Sequence, residues 1–128
     1  MAMNIEKFTK TLYEKADKTG FGKGKCALRV RLALKDGGYA PTTWPELAKD
    51  WGPSMLRAGF HEITVDDVKT FMPMKGDVAV IQATAHHSSG HIQGYDGKTW
   101  VSDFVQRRGF WPGEEYRNEK PKYVIYRP

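Results

Sequence analysis

The chain has 128 residues, a length that suits one compact domain spanning residues 1–128. Apolar residues make up 40% of it and aromatic residues 12%, which provides a hydrophobic core and excludes an intrinsically disordered chain. The net charge of +5 favours anionic partners such as nucleic acid, anionic lipid or an acidic cell-wall polymer, although the basic residues are scattered rather than clustered in blocks.

The N-terminal sequence bears on localisation. Its first ten residues, MAMNIEKFTK, lack the apolar region of a secretory signal. No apolar run approaches the ~18 residues of a membrane span. We therefore expect a protein that is synthesised in the cytoplasm without a signal peptide. If it acts in another compartment, we expect a delivery route that does not use a signal peptide.

Helical periodicity predicts two helices in the N-terminal third. The first covers residues 4–17, with Asn4 as N-cap and four apolar residues on one face: Ile5, Phe8, Leu12 and Ala16. A glycine-rich loop at 20–24 ends it. The second helix begins near Cys26 and stops at Gly37-Gly38. Its apolar face, expected to be well buried, contains Ala27, Val30, Ala33 and Leu34, widened by Leu28 and Leu32.

Two shorter helices are predicted next. Residues 43–46 (TWPE) form a capping-box pattern with Thr43 as the cap, which indicates a helix that continues to about Trp51. Pro53 then starts a further short helix that ends at Gly59.

After residue 60 the period changes to that of strands. They are predicted at 60–65, 78–83, 91–95, 99–104 and 123–127, with turns at 74–77 and at Asp96-Gly97. The stretch 105–121 is rich in Arg, Gly, Pro and Glu, and it is predicted to be a surface loop. Helices followed by antiparallel strands indicate an α+β fold with N-terminal helices packed on one side of a small antiparallel sheet.

The glycine-rich loop raises a choice between a phosphate-binding loop and a support for a reactive sulfur. Gly24-Lys25 is followed by Cys26 rather than by the Ser or Thr of a P-loop. The spacing Gly22-x-Gly24-x-x-Ala27 fits a loose dinucleotide fingerprint, but that fingerprint needs a preceding strand, and here a helix precedes it. Nucleotide binding is therefore disfavoured.

Cys26 is the single cysteine, so an internal disulfide is excluded, and the residue is either an inert core residue or a nucleophile. Its position in the first turn of a helix favours the nucleophile. Free N–H groups and the helix dipole stabilise an anion there, and Lys23 and Lys25 add positive charge. We therefore expect a lowered thiol pKa, with the Cys26 N–H available to a developing oxyanion.

A thiolate nucleophile needs a general base, normally histidine. His61 sits at a strand entry, and His86 and His87 lie in the loop AHHSSG, where solvation is expected. His91 opens a strand directly after Ser88-Ser89-Gly90, and we take it as the base.

The group that orients the base is one of Asp96, Asp103 and Gln93, and Asp96 is better explained as a turn residue. A three-residue loop, Tyr95-Asp96-Gly97, would place His91 and Asp103 on one face of the hairpin. A two-residue Asp96-Gly97 loop would place Ser102 there instead. The sequence alone leaves both registers open.

Three segments carry a family resemblance. KGKCALRVRLALKDGG, KGDVAVIQ and SGHIQGYDGKTWVSDF resemble, in this order, the NlpC/P60 and CHAP group of papain-like peptidoglycan amidases. In that group a cysteine opens a buried helix, a Gly-Asp strand follows, and a Gly-His strand carries the histidine. The compact size and the WVSDF segment look most like the amidase effectors of type VI secretion, and like small phage or bacteriocin lytic domains. The resemblance covers roughly residues 20–105.

The resemblance implies a papain-like NlpC/P60 (CHAP-like) fold with Cys26 as nucleophile, His91 as base and Asp103 as the orienting acid. It implies hydrolysis of an amide in the peptide stem or cross-link of peptidoglycan through a thioester, without metal or cofactor. Such an antibacterial effector or lysin would act in the periplasm or on the cell wall after delivery. A cognate immunity protein is the expected protein partner, and neither nucleic acid nor a membrane span is expected.

Three alternatives remain at this stage. The first is a metal site built from His86, His87, His91 and Cys26, although the spacing matches no familiar zinc signature. The second is a non-enzymatic basic module that binds sugars or bases through its four tryptophans: Trp44, Trp51, Trp100 and Trp111. The third keeps the fold but acts on protein, as a cysteine protease or transamidase.

Overall fold

The computed structural model describes residues 3–18, 24–39 and 44–128, which form an α+β fold. The helices in these ranges are α1 (Ile5–Lys15), α2 (Cys26–Asp36), α3 (Gly52–Arg57) and α4 (Glu114–Glu119), and a 3-10 turn covers Ala48–Asp50. The strands are β1 (His61–Ile63), β2 (Val78–Ile81), β3 (His91–Tyr95), β4 (Trp100–Val101), β5 (Val105–Gln106) and β6 (Tyr123–Arg127). None of the helices in the described ranges has the length and apolar character needed to cross a membrane.

The strands form one antiparallel sheet in the order β1-β6-β2-β3-β4-β5, which confirms the predicted small antiparallel sheet. Side chains of a strand alternate between the two faces of its sheet. In β2, Val78 and Val80 therefore enter one core, and Ala79 and Ile81 enter another. The sheet has a hydrophobic core on each face.

The first core lies between the sheet and helices α1 to α3. Its largest fully buried side chains from these helices and from the segment between α2 and α3 are Phe8, Leu12, Val30, Leu34, Trp51 and Met55. Asn4 caps α1, because its side-chain oxygen accepts a hydrogen bond from the Lys7 N–H at 3.0 Å. The predicted first helix and its cap are confirmed.

Helix α2 has the predicted start and end, but its buried face is narrower than predicted. Leu28 and Leu32 are 39% and 37% exposed, so the expectation that they widen the buried face is wrong. They lie one turn apart on a flank of the helix. The helix packs through one stripe against α1 and β3, and this flank faces solvent.

The predicted helix ending near Trp51 is wrong, because only the 3-10 turn at 48–50 forms there. Its predicted cap, Thr43, lies outside the described residues. Trp51 is 1% exposed, and its ring centroid lies 4.7 Å from that of Trp44. Aromatic packing therefore fixes this segment. The next helix, α3, has Pro53 in its first turn and is followed by Gly59 at φ +92°, as predicted.

The prediction that residues 105–121 form a surface loop is also wrong. This stretch contains β5 and α4, and it buries Phe110 and Tyr116 in the second core. A two-residue strand and a six-residue helix are too short to produce a periodic pattern. Because Tyr116 of α4 packs on the second face, helices are not confined to one side of the sheet.

The β3–β4 connection has four residues, 96–99, because Tyr95 pairs with Trp100. Neither the three-residue nor the two-residue loop considered from the sequence is therefore present. Asp103 lies beyond the end of β4, in a tight turn where the Ser102 N–H donates to the Phe104 carbonyl oxygen at 3.0 Å. The turn, rather than the strand register, decides where the Asp103 carboxylate points.

A buried ion pair ties the neighbouring strands β2 and β6 together. Asp77 is fully buried and accepts hydrogen bonds from Arg127 Nε at 2.8 Å and from Arg127 Nη2 at 2.9 Å. The backbone N–H of Met74 donates to the same carboxylate at 2.8 Å, which closes the predicted turn before β2. Asp77 thus holds the C-terminal strand against the centre of the sheet.

Asp77→Ala is expected to lower the free energy of unfolding by about 3 kcal/mol, because it leaves a partly buried guanidinium and the Met74 N–H without their partner. Urea unfolding followed by tryptophan fluorescence at pH 7 measures this loss. The control is Glu14→Ala, which removes an exposed pair with Lys10 at 3.8 Å and should cost less than about 1 kcal/mol. Equal losses for the two variants would contradict the role given to Asp77.

Candidate active site

A cavity of about 270 Å³ lies where α2, β3, the β4–β5 turn and α4 approach one another. Cys26, His91 and Asp103 all line it, together with His87 and Tyr116. We call this cavity the Cys26 pocket. The three residues chosen from the sequence are far apart along the chain, and the fold brings them to one place.

Cys26 is half-buried at the first position of α2. Helix α2 packs against β3. Within β3, only the last two residues, Gly94 and Tyr95, pair with β4, so the first residues of β3 are not covered by that strand. The backbone N–H of Ile92 in β3 faces the sulfur, as do the N–H groups of Cys26 and Ala27. Such donors stabilise negative charge on sulfur or on an oxygen bound next to it.

Burial opposes these donors and prevails. It raises the pKa of the Cys26 thiol, and the nearby negative charge of Asp103 raises it further, while the Ile92 N–H lowers it. The expectation of a lowered thiol pKa is therefore wrong, because loss of hydration disfavours the thiolate more than the helix terminus favours it. Of the two lysines expected to help, Lys23 lies outside the described residues and Lys25 is exposed. The resting sulfur is protonated, so it could act as a nucleophile only with a base beside it.

His91 supplies an imidazole that is held from several sides. It is 7% exposed at the first position of β3. Gly90, immediately before it, has φ +71°, and a Cβ there would lie 2.5 Å from the Ile81 carbonyl oxygen. The ring centroid of Tyr116 lies 5.9 Å from that of His91. Gly90 therefore lets the chain approach β2 closely just before His91, and the Tyr116 ring packs beside the imidazole.

Gln106 fixes the protonation of that imidazole. Its side-chain nitrogen donates to the carbonyl oxygens of Gly109 at 3.2 Å and of Phe110 at 3.1 Å, so its Oε1 must be the atom that lies 2.9 Å from His91 Nε2. An amide oxygen only accepts, and Nε2 therefore carries the proton. The lone pair of the neutral ring is left on Nδ1, the atom available as a base.

The neutral form of His91 is strongly favoured. Burial lowers the pKa of His91 to about 4, although the Gln106 hydrogen bond and the charge of Asp103 raise it in part. At neutral pH the pocket therefore holds a protonated sulfur and an unprotonated imidazole. This combination suits a base that takes the thiol proton during attack rather than a preformed ion pair.

Asp103 fastens the start of α2 to the β4–β5 turn. Its Oδ2 accepts a hydrogen bond from the Lys25 N–H at 3.1 Å, and its backbone carbonyl accepts from the Asp17 N–H at 2.8 Å. A carboxylate at a helix N-terminus is stabilised by the helix dipole. Asp103 is thus placed to hold the helix that carries Cys26 and to act on His91 through its charge.

The other histidines have different surroundings. His61 is exposed in β1, and His86 Nδ1 lies 2.5 Å from Glu115 Oε1, which raises the pKa of His86. His87 is half exposed but lines the Cys26 pocket, with its ring centroid 5.1 Å from that of Tyr116. No group of three or more His, Cys, Asp and Glu side chains within residues 3–18, 24–39 and 44–128 is arranged to hold a metal ion.

Sequence reasoning missed Gln106 and Tyr116 as residues of the site. Gln93, which it did consider, is fully buried, and its side-chain nitrogen donates to the Phe110 carbonyl oxygen at 2.8 Å. The sequence did contain a signal for Gln106, because Val105-Gln106 follows a tight turn. A strand that reverses at such a turn places Gln106 beside Trp100, and the structure pairs these two residues.

Comparison with known proteins finds similar solved structures. The chain is similar to a crystal structure of the native type VI effector–immunity complex Tae3–Tai3 from Ralstonia pickettii, with 41% sequence identity and a TM-score of 0.86, over 97% of this chain and 98% of that chain. It is also similar to the selenomethionine form of that complex, with 41% identity and a TM-score of 0.84, over 94% of this chain and 99% of that one. No protein-family model and no curated protein sequence matches it.

The low pKa of His91 makes stability depend on pH. The folded pKa of about 4 lies below the unfolded value of about 6.5, so the unfolded chain binds the proton more readily. The contribution of neutral His91 to the free energy of unfolding is fully present above pH 6.5. It is lost as the pH falls towards 4, which lowers the free energy of unfolding by up to about 3 kcal/mol.

Urea unfolding at pH 7 and at pH 4 tests this for the wild type and for His91→Gln, which should lose less stability over the interval. His61→Gln removes an exposed histidine and should keep the wild-type pH dependence. Identical pH dependences for all three proteins would show that His91 does not titrate as described.

Gln106→Leu is expected to release the His91 tautomer, because the acceptor for Nε2–H is lost. Nitrogen-15 NMR of the imidazole should show protonation at Nε2 in the wild type and a mixture of tautomers in the variant. Gln82→Leu, which removes an exposed glutamine that donates to the Lys49 carbonyl oxygen, is the matched control. An unchanged Nε2–H signal in Gln106→Leu would contradict the assignment.

Proposed function

The chain belongs to the Tae3 family of type VI effectors, and we propose that it hydrolyses peptidoglycan at an amide bond of the peptide stem or cross-link. The observation that carries the proposal is the Cys26 pocket, where the half-buried sulfur at the start of α2 and a neutral imidazole share one cavity. A sulfur nucleophile, a base and backbone donors are the groups that acyl transfer to water requires.

In the proposed reaction, Cys26 Sγ attacks the amide carbonyl carbon while His91 Nδ1 takes the thiol proton. The carbonyl oxygen gains negative charge and is stabilised by backbone N–H groups at the start of α2, that of Cys26 among them. His91 returns the proton to the leaving amine as the C–N bond breaks, which leaves a thioester. His91 then removes a proton from water, water attacks the thioester, and the carboxylic acid and the free thiol are released.

In this proposal, two residues share the role of orienting and stabilising the His91 imidazole. Gln106 acts as the positioning residue that holds Nε2–H, and Asp103 stabilises the imidazolium through its charge and anchors the start of α2. The sequence-based assignment gave orientation to Asp103 alone. With Gln106 in that role, the proposed mechanism would follow the papain-like plan of a cysteine on a helix, a histidine on the sheet and a polar residue beyond it.

The same family membership supports a proposal for the biological setting. The related structures are complexes of an effector with its immunity protein. We propose that this protein is likewise an antibacterial effector that is delivered into the periplasm of a competing cell, and that a cognate immunity protein binds it in the producing cell. The net charge of +5 would assist its accumulation on an anionic wall.

Digestion of purified peptidoglycan, with mass analysis of the fragments, tests the proposal. The wild-type protein should release fragments that carry a new amine and a new carboxylate. Cys26→Ala and His91→Ala should each lower the rate at least about a thousand-fold, because the nucleophile and the base act as a unit.

Asp103→Asn and Leu28→Ala complete the series. Asp103→Asn retains a hydrogen-bond acceptor for Lys25 but removes the charge, and a smaller loss of activity is expected than for His91→Ala. Leu28→Ala changes an exposed residue of α2 and should leave activity unchanged. Intact peptidoglycan after incubation with the folded wild-type protein would reject the proposed function.

A further inference from the structure

Two further cavities lie beside β5 and α4, and the nearer one adjoins the Cys26 pocket. The pocket shares Phe104, Pro112 and Gly113 with a neighbouring cavity of about 370 Å³. That cavity shares five lining residues with a cleft of about 700 Å³: Gln106, Arg107, Arg108, Trp111 and Arg117. We call these two adjoining cavities together the arginine groove, after the three arginines that line both of its parts.

The groove is strongly basic. Its outer part adds three lysines, Lys69, Lys98 and Lys120, to the three arginines. Among the described residues, no aspartate or glutamate lines either part, and none pairs with these three arginines in a salt bridge. Arg107 Nη2 donates to the neutral carbonyl oxygen of Lys18 at 2.7 Å. Six neighbouring positive charges repel one another, and this arrangement attracts a negatively charged ligand.

The groove is also held in shape. The turn that carries Arg107 and Arg108 is closed by Gln106, whose side chain donates to the carbonyl oxygens of Gly109 and Phe110. The ring centroid of Trp111 lies 4.9 Å from that of Phe110, nearly perpendicular to it. Guanidinium groups bind carboxylates through paired hydrogen bonds, and a fixed indole provides an apolar wall for the aliphatic part of a ligand.

We propose that the arginine groove binds a carboxylate-bearing peptide arm on one side of the amide bond that Cys26 attacks. The inference rests on the proposed hydrolase function and specifies its substrate as an acidic peptide. A peptide whose amide carbon lies at Cys26 would pass between Phe104 and Gly113, and its next carboxylates would meet Arg108 and Arg117. The groove selects the substrate by charge, and the pocket performs the chemistry.

Binding to an inactive protein tests the groove without requiring turnover. Stem-peptide fragments are released from peptidoglycan by a glycan-cleaving enzyme, and half of the sample has its carboxylates converted to amides. Calorimetry with Cys26→Ala should show binding of the native fragments about ten-fold or more tighter than of the amidated ones. Adding Arg108→Gln and Arg117→Gln should remove this preference and reduce the salt dependence of binding.

The matched control adds Lys35→Gln and Lys122→Gln to Cys26→Ala, which removes two exposed charges outside the groove and the pocket. It should keep the preference. The proposal is overturned if the parent binds both fragment types equally or binds neither. It is also overturned if the arginine variant keeps the preference. Heparin serves as an unrelated polyanion, and the proposal is overturned if heparin binds through these arginines more tightly than the peptide fragments do.

Activity measurements separate this proposal from the proposed function. If the wild type cuts native and amidated peptidoglycan at equal rates, and Arg108→Gln/Arg117→Gln cuts both at the wild-type rate, the groove proposal fails and the hydrolase proposal stands. If the wild type cuts neither substrate, the hydrolase proposal fails, whatever the calorimetry shows. A ten-fold or greater loss of kcat/KM on native substrate, confined to the arginine variant, supports both proposals.

Discussion

The site depends on how the start of α2 is held against β3. The Lys25 N–H donates to the Asp103 carboxylate, and the Ile92 N–H faces the sulfur of Cys26, so the helix is fixed at the position that carries the thiol. The first contact depends on β4 ending at Val101, because Asp103 lies in the turn that follows it.

Burial sets the chemistry of the pocket more strongly than the helix dipole does. The same loss of hydration raises the pKa of Cys26 and lowers the pKa of His91, so both groups are neutral before the reaction. A neutral imidazole can accept the thiol proton only through Nδ1, since the Gln106 oxygen holds Nε2–H. In the proposed mechanism, proton transfer therefore accompanies attack, and the surrounding backbone donors would stabilise the charge that then develops.

One segment would connect the proposed chemistry to the proposed recognition of the substrate. Gln106 holds His91, and its side-chain nitrogen closes the turn that presents Arg107 and Arg108 to the groove. The following residues bury Phe110 in the second core. The imidazole and the arginines thus share one rigid support, and a ligand in the groove would be positioned relative to the reacting atoms by the same short stretch of chain.

The sequence by itself determined the elements that periodicity and capping specify. These are α1 with its Asn4 cap, α2 from Cys26, the central strands, and the choice of Cys26 and His91, which the fold places in one pocket. Only the tertiary structure decided which residue bonds to His91. Gln106 lies in a two-residue strand, and so short an element has no periodic pattern. The pKa of the Cys26 thiol was likewise decided by burial. Burial depends on tertiary packing, so the residues next to Cys26 in the sequence do not predict it.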